Sequence, residues 1–149
     1  MDYILPTFNF VSVTFAILAI GTGARAVVDP VGFSQSFGLS LQPTTENDGI
    51  DTRGKTTASP SDQQYRSLAE SYTSLMGVRQ LGTGITILTF AYQGKWTEAA
   101  TILAIIGIVV AGTDGFFLAR AGYGSLGRFH AIPGAGIAAL AAVVIYIAA

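Results

Sequence analysis

The stretch Leu75 to Tyr92 reads LMGVRQLGTGITILTFAY. It is apolar or small almost throughout, which predicts a membrane-spanning helix, but Arg79 lies near its start. Counted from the polar end near Ser67, a helix places Arg79 about 18 Å along its axis, roughly the middle of a ~30 Å hydrocarbon core. A guanidinium there costs at least about 2.5–3.5 kcal/mol. We therefore expect acidic or polar groups from other helices to face Arg79.

The composition is that of a membrane protein. Of the 149 residues, 50% are hydrophobic and 11% are charged, whereas soluble domains carry about 25% charged residues. The formal net charge of −1 gives no electrostatic reason to expect nucleic-acid binding. With no Cys and one His, the chain cannot build a disulfide framework or a His- or Cys-rich metal site alone. We expect no metal and no cofactor.

Four hydrophobic segments predict an all-α membrane protein, a four-transmembrane-helix antiparallel bundle in a single domain, 1–149. A long polar loop, 40–64, separates the first and second spans, and short turns make the last three spans antiparallel neighbours. Pro30 to Leu39 is predicted as a short interfacial helix ending at Gly38. Thr97 is expected to cap the third helix, with Glu98 as its first-turn acid. The predicted spans are about 10–28, 67–92, 99–120 and 128–148.

A cleaved signal peptide is the alternative for the first span, because Ala24-Arg25-Ala26 is similar to a cleavage site. A signal peptide needs a positive amino-terminal region, and the only charge before this span is Asp2. The sequence therefore favours a retained span.

Basic residues predict the orientation. They are concentrated in the first and third loops and their flanks, while Lys95 stands alone on the other side. The positive-inside rule places those two loops in the cytosol. We expect an integral protein of an endomembrane such as the endoplasmic reticulum, with the 40–64 loop cytosolic. The basic residues that decide this are Arg53, Lys55, Arg66, Arg120 and Arg128.

The ionisable residues within or beside the spans fall mainly on the cytosolic side, and each helix contributes. Asp114 is the only carboxylate well inside an apolar segment, so it is the best candidate to pair with Arg79. Small residues around it, including Gly107, Ala111, Gly112 and Gly115, permit close helix approach. We expect a polar pocket open to this side. Its catalytic candidates are Asp114, Arg79, His130 and Tyr72, and its substrate-binding candidates are Arg25, Asp29, Glu70, Met76 and Phe117.

Structural interpretations compete with this site. Arg79 and Asp114 could be an ion pair that only fixes helix register, and His130 alone would be an interfacial histidine. Arg25 could extend to the interface with Asp29, four residues on, as a local partner. Glu70 could simply mark the headgroup region.

Several short motifs resemble an uncharacterised family of small four-span membrane proteins found in fungi and bacteria. They are Pro30 to Leu39, Gly77-Val-Arg-Gln-Leu-Gly82, Thr113-Asp-Gly115 and Phe129-His130. Some fungal relatives lie beside polyketide synthase genes. The resemblance implies tailoring of a lipophilic metabolite, by epoxide hydrolysis or epoxide-driven cyclisation.

The residues suit that chemistry. Asp114, held against Arg79, could act as base, His130 or Tyr72 could protonate the ring oxygen, and Arg79 could stabilise developing oxyanion charge. The expected partners are the lipid bilayer and a lipophilic substrate, and a homo-oligomer stays open. The alternatives are a non-catalytic membrane partner or lipid-binding protein, and a cofactor-free oxygenase of a phenolic substrate with His130 as base.

Overall fold

The computed structural model describes residues 3–36 and 60–148, and every secondary-structure element within these ranges is a helix. A short π-helical segment, Ile106–Val110, interrupts the third long helical run. The α-helices are α1 (Ile4–Val28), α2 (Pro30–Ser36), α3 (Pro60–Tyr92), α4 (Trp96–Ile105), α5 (Ala111–Arg120) and α6 (Gly124–Ala148).

Three helical runs in the described part are long and apolar enough to cross a membrane, namely Ile4–Val28, Trp96–Arg120 and Gly124–Ala148. Each has 25 residues and is therefore about 37 Å long, enough for a ~30 Å hydrocarbon core. This confirms a membrane-like all-helical protein. The helix α3 is longer, at 33 residues, but is not one of the three; its role as a fourth span stays a prediction.

Several helices begin before their predicted starts. The first begins at Ile4, and α3 begins at Pro60, inside the predicted 40–64 loop. Proline suits a first helical turn because its missing N–H has no partner there in any case. The last helix begins at Gly124, directly after a turn that Gly122 makes with a φ of 88°. The rest of the predicted loop, up to residue 59, and the predicted cap at Gly38 lie outside the described residues.

The start of α4 corrects one prediction. The helix begins at Trp96 with Lys95 in the N-cap position and no side-chain cap, so Thr97 is not the cap. Glu98 does lie in the first turn, as predicted. A tight turn precedes the helix, where Gly94 has a φ of 71° and the Lys95 amide donates to the Phe90 carbonyl over 2.9 Å.

The chain divides into two compact units. Of the described residues, unit 1 contains 3–20 and 82–148, and unit 2 contains 21–36 and 60–81. Unit 1 has an apolar core to which four helical segments contribute. Its buried members are Phe8, Ala16, Ile87, Ala100, Leu103, Ala141 and Val144.

In unit 1, glycines bring the third helical run and α6 into backbone contact. A Cβ added to Gly127 would lie 2.6 Å from the carbonyl oxygen of Gly115, and one added to Gly134 would clash with the Cβ of Ala111. Gly107 in turn meets Gly134. Residue numbers rise on one helix as they fall on the other, so the two helices are antiparallel. We call this contact, formed by Gly107, Gly115, Gly127 and Gly134, the α5–α6 seam.

The π segment lets the same face of the third helical run, Trp96–Arg120, point toward α6 along its whole length. At about 100° per residue, Leu103 and Gly115 would lie roughly 120° apart around a regular α-helix. A π turn accommodates one additional residue, which reduces this angle to roughly 20°, and both residues are buried. The Thr113 hydroxyl donates to the carbonyls of Val109 and Val110 over 2.6 and 3.0 Å, which satisfies acceptors at the end of the π segment.

Unit 2 contains a second contact of the same kind. A Cβ on Gly23 would lie 2.7 Å from both the Gly77 carbonyl oxygen and the Leu81 amide nitrogen, and one on Gly77 would lie 2.8 Å from the Cβ of Ala26. The two helices are again antiparallel. We call the contact between Gly23 and Gly77 the α1–α3 seam.

Candidate functional site

The α5–α6 seam fixes the level of Asp114 relative to His130. Gly115 contacts both Gly127 and Ala131 of α6, with Cβ distances of 3.1 Å to the carbonyl oxygen of Gly127 and 2.8 Å to the Cβ of Ala131. Asp114, the residue before Gly115, therefore lies at the level of residues 128 to 132 of α6. Asp114 and His130 thus occupy the same depth along the helix pair.

The two residues also share a side of the pair. Two antiparallel helices are related by a local two-fold axis that is perpendicular to the plane containing both helix axes. This rotation exchanges the helices but leaves each side of that plane unchanged. The residue directly before the contact point on one helix therefore lies on the same side of the plane as the corresponding residue on the other helix. Asp114 precedes Gly115, and His130 precedes Ala131. Both side chains are half-buried. Two of the four predicted catalytic residues, Asp114 and His130, therefore lie on the pair formed by α5 and α6.

Exposed aromatic rings lie near this position. The ring of Phe129 meets the His130 imidazole edge to face, with centroids 5.8 Å apart. Phe117 lies three residues after Asp114, so the two are neighbours on the surface of α5. Its ring makes an edge contact with Phe116 and is 62% exposed. Apolar surface is thus available beside the polar pair.

Arg79 belongs to unit 2, where the α1–α3 seam gives its depth. Gly23 lies between Gly77 and Leu81, so Arg79 is level with Gly23. Val28, the last residue of α1, is five residues further, or roughly 7.5 Å along the axis. This position is nearer a span end than the mid-bilayer depth predicted from Ser67. At that depth a long arginine side chain can reach the interface.

The predicted face of α3 is open within unit 2. Tyr72 and Met76 are 64% and 51% exposed, and Arg79 is also exposed. Within the described residues of unit 2, Arg79 forms no ion pair. Its pairing with Asp114 joins residues of different units and stays a prediction.

Two predicted substrate contacts already have local partners. The carboxylate of Asp29 accepts a hydrogen bond from the Gly32 amide over 2.8 Å, and Pro30 follows as the first residue of α2. Asp29 is thus the N-cap of that helix. Glu70 pairs with Arg66 over 3.4 Å on the surface of α3. These contacts favour the structural interpretation of both acids, while Arg25 is exposed.

Two features had no place in the sequence prediction. The Oδ1 atom of Asn9 is buried with no hydrogen-bond partner in the described part of the chain. Unit 1 also contains an open cavity of about 510 Å³ at the start of α4, lined by Lys95, Trp96 and Glu98 among apolar residues. The charged residues beside the single Trp were the available signal, but they suggested only a span end.

Residues 16–144 match the model of the family described as Domain of unknown function (DUF4267). The chain belongs to this family. No curated protein and no solved structure matches the chain. The family match starts within α1, before the Ala24-Arg25-Ala26 segment, and extends into α6, so both glycine seams and every predicted site residue lie inside it.

Proposed function

We propose that this protein is a membrane-embedded, cofactor-independent acid/base enzyme that acts on a lipophilic substrate, with Asp114 and His130 as its central pair. The observation that carries the proposal is the α5–α6 seam. It brings the half-buried acid and the only histidine of the chain to one level and one side of a helix pair. An acid and a base that act on the same bond must be positioned together in this way.

The substrate class we propose is an epoxide on an apolar, polyketide-like molecule. Asp114 removes a proton from water, the water oxygen attacks a ring carbon, and the carbon–oxygen bond of the ring breaks. Protonated His130 gives its proton to the released oxygen, so water and epoxide yield a diol. If an internal hydroxyl replaces the water, the same transfers give a cyclised isomer. Proton exchange between Asp114 and His130 then restores the starting state.

We further propose that α3 is a fourth span. In unit 1, a Cβ on Gly84 of α3 would lie 2.6 Å from the carbonyl oxygen of Ala16, which belongs to a candidate span. Backbone contact with a span supports a membrane position for α3.

The test uses the full chain in lipid nanodiscs with an epoxidised long-chain hydroxy fatty-acid ester, whose hydroxyl can replace water as the nucleophile, in ¹⁸O-labelled water. Hydrolysis incorporates ¹⁸O into the diol, and cyclisation consumes epoxide without the label. Asp114→Asn and His130→Gln should each lower turnover at least 10²-fold. Gly112→Ala is the matched control, because an added Cβ there meets nothing within 4 Å.

Full turnover by folded Asp114→Asn would contradict the enzyme proposal. A wild-type protein that binds the ester without converting it would favour the second candidate, a non-catalytic lipid- or metabolite-binding protein. That candidate is supported by the contacts of two predicted substrate-binding acids. Asp29 is a helix cap and Glu70 forms a surface ion pair, so both have structural roles.

A further inference from the structure

The cavity of unit 1 has the size and lining of a small-molecule site. Its volume of about 510 Å³ lies within the roughly 300–1,000 Å³ range of ligand pockets. The start of α1, the start of α4 and the end of α6 form its walls. Ile4, Val144 and Ile147 supply apolar surface.

This cavity carries one charge of each sign. Lys95 and Glu98 both line it, both are exposed, and neither forms an ion pair with another described residue. The left-handed turn at Gly94 directs the chain so that Lys95 directly precedes α4. The lining therefore offers a separated cation and anion beside an apolar surface.

The cavity also lies at one end of three candidate membrane spans. All three helices that form it are candidate spans, and it lies where they end or begin. Trp96, which is half-buried in its wall, is a residue type enriched at the headgroup level. The site is roughly 27 Å from Asp114 along the third helical run, so it does not belong to the proposed acid/base site.

We infer that this cavity binds one zwitterionic phospholipid with a primary-amine headgroup, of the phosphatidylethanolamine type. Lys95 binds the phosphate, Glu98 accepts hydrogen bonds from the ammonium group, and the upper acyl chain lies along Ile4, Val144 and Ile147. A purely anionic lipid would gain the contact with Lys95 but would meet repulsion from Glu98. A quaternary amine would keep the charge but could not donate hydrogen bonds to Glu98.

The single Trp of the chain lines the cavity and reports its occupancy. The experiment follows Trp96 emission of the full chain in nonionic maltoside micelles as phosphatidylethanolamine, phosphatidylglycerol or phosphatidylcholine is added at rising mole fraction. Wild-type protein should give a saturable shift at the lowest mole fraction with phosphatidylethanolamine. Ala148→Phe, which introduces a large side chain at the cavity wall without changing charge, should weaken the response and raise its half-saturation point.

The charge variants separate recognition of the headgroup from partitioning into micelles. Lys95→Gln should raise the half-saturation point of phosphatidylethanolamine and phosphatidylglycerol alike by about tenfold. Glu98→Gln should raise that of phosphatidylethanolamine alone and remove its preference. Arg128→Gln, an exposed cation at the far end of α6, is the control and should change nothing.

A shift that rises linearly without saturation, or equal half-saturation points for the three lipids in wild type and Glu98→Gln, would overturn the inference. Retention of the wild-type response by Ala148→Phe would do the same. Because the readout is Trp96 emission, failure here leaves the turnover test of Asp114 and His130 unaffected.

Discussion

The α5–α6 seam and the α1–α3 seam are built in the same way and carry different chemistry. Each joins two antiparallel helices through glycines whose backbones touch, at Gly115 with Gly127 and at Gly23 with Gly77. Such contacts suit membrane helices, where small residues allow close packing. The packing alone therefore does not tell which seam holds a site.

The residues beside the seams make the difference. Asp114 and His130 flank the first seam and are half-buried. Within the described residues of unit 1, 3–20 and 82–148, Asp114 forms no ion pair. The acids near the second seam, Asp29 and Glu70, serve as a helix cap and an ion-pair partner. A half-buried carboxylate at the level of a histidine is a candidate for chemistry, whereas the Asp29 cap and the Arg66–Glu70 pair have evident structural roles.

The largest expected effect tests whether Asp114 and His130 act as a unit. Each single variant, Asp114→Asn or His130→Gln, should lower epoxide turnover at least 10²-fold, and the double variant should be no slower than the worse single one. If both groups are needed for the same proton-transfer step, removing either one already abolishes the contribution of the other to the rate. Single-turnover rates in nanodiscs measure this. Independent losses that multiply to roughly 10⁴-fold would show that the two residues act separately.

The second prediction compares two glycines of α6. Gly134→Ala should destabilise the protein by about 1–3 kcal/mol relative to Gly136→Ala, because the new Cβ clashes with Ala111 and the core must shift. Gly136→Ala meets nothing within 4 Å and gains the same helix propensity, up to about 1 kcal/mol. Unfolding in micelles, followed by circular dichroism, measures the difference. Equal stabilities would show that the α5–α6 seam is not in backbone contact.

The sequence predicted the helices and part of the seam because both depend on local composition. Apolar runs specify helices in lipid, and Gly107, Ala111 and Gly115 do lie in a close helix contact, although the sequence did not indicate that the partner is α6. Gly112, predicted with them, faces open space, since it lies about 100° from Ala111 around the helix. A cluster of small residues does not by itself identify which of its members are in contact.

Other features depend on more than local pattern. The π segment at Ile106–Val110 arises from matching two faces to α6, and nothing within those apolar residues signals it. The cavity beside Trp96 needs the ends of three helices. The Asp29 cap, in contrast, could have been predicted from the sequence, because Asp followed by Pro is typical of a helix start. Its carboxylate was assigned to a substrate instead.

The third prediction asks whether Asp29 is a cap or a site residue. Asp29→Ala should destabilise α2 by about 0.5–2 kcal/mol, since the Gly32 amide loses its acceptor. Asp29→Asn keeps an acceptor and is the matched control. Hydrogen exchange of the 30–36 segment should increase in the alanine variant alone, with turnover unchanged in both. If Asp29→Asn lost turnover while hydrogen exchange of the 30–36 segment stayed normal, Asp29 would be a functional residue and not only a helix cap.

The smallest expected effect concerns Glu70. Its partner Arg66 is one helical turn away, and the two side chains are 36% and 48% exposed, so water and salt screen the pair. Glu70→Gln should therefore cost only about 0.3–0.5 kcal/mol, and the loss should vanish in an Arg66→Gln background or at high ionic strength. Unfolding of the four variants in a double-mutant cycle measures this. A loss well above about 1 kcal/mol that persists without Arg66 would mean that Glu70 has another partner, and the chemistry beside the α1–α3 seam would then resemble that of the α5–α6 seam.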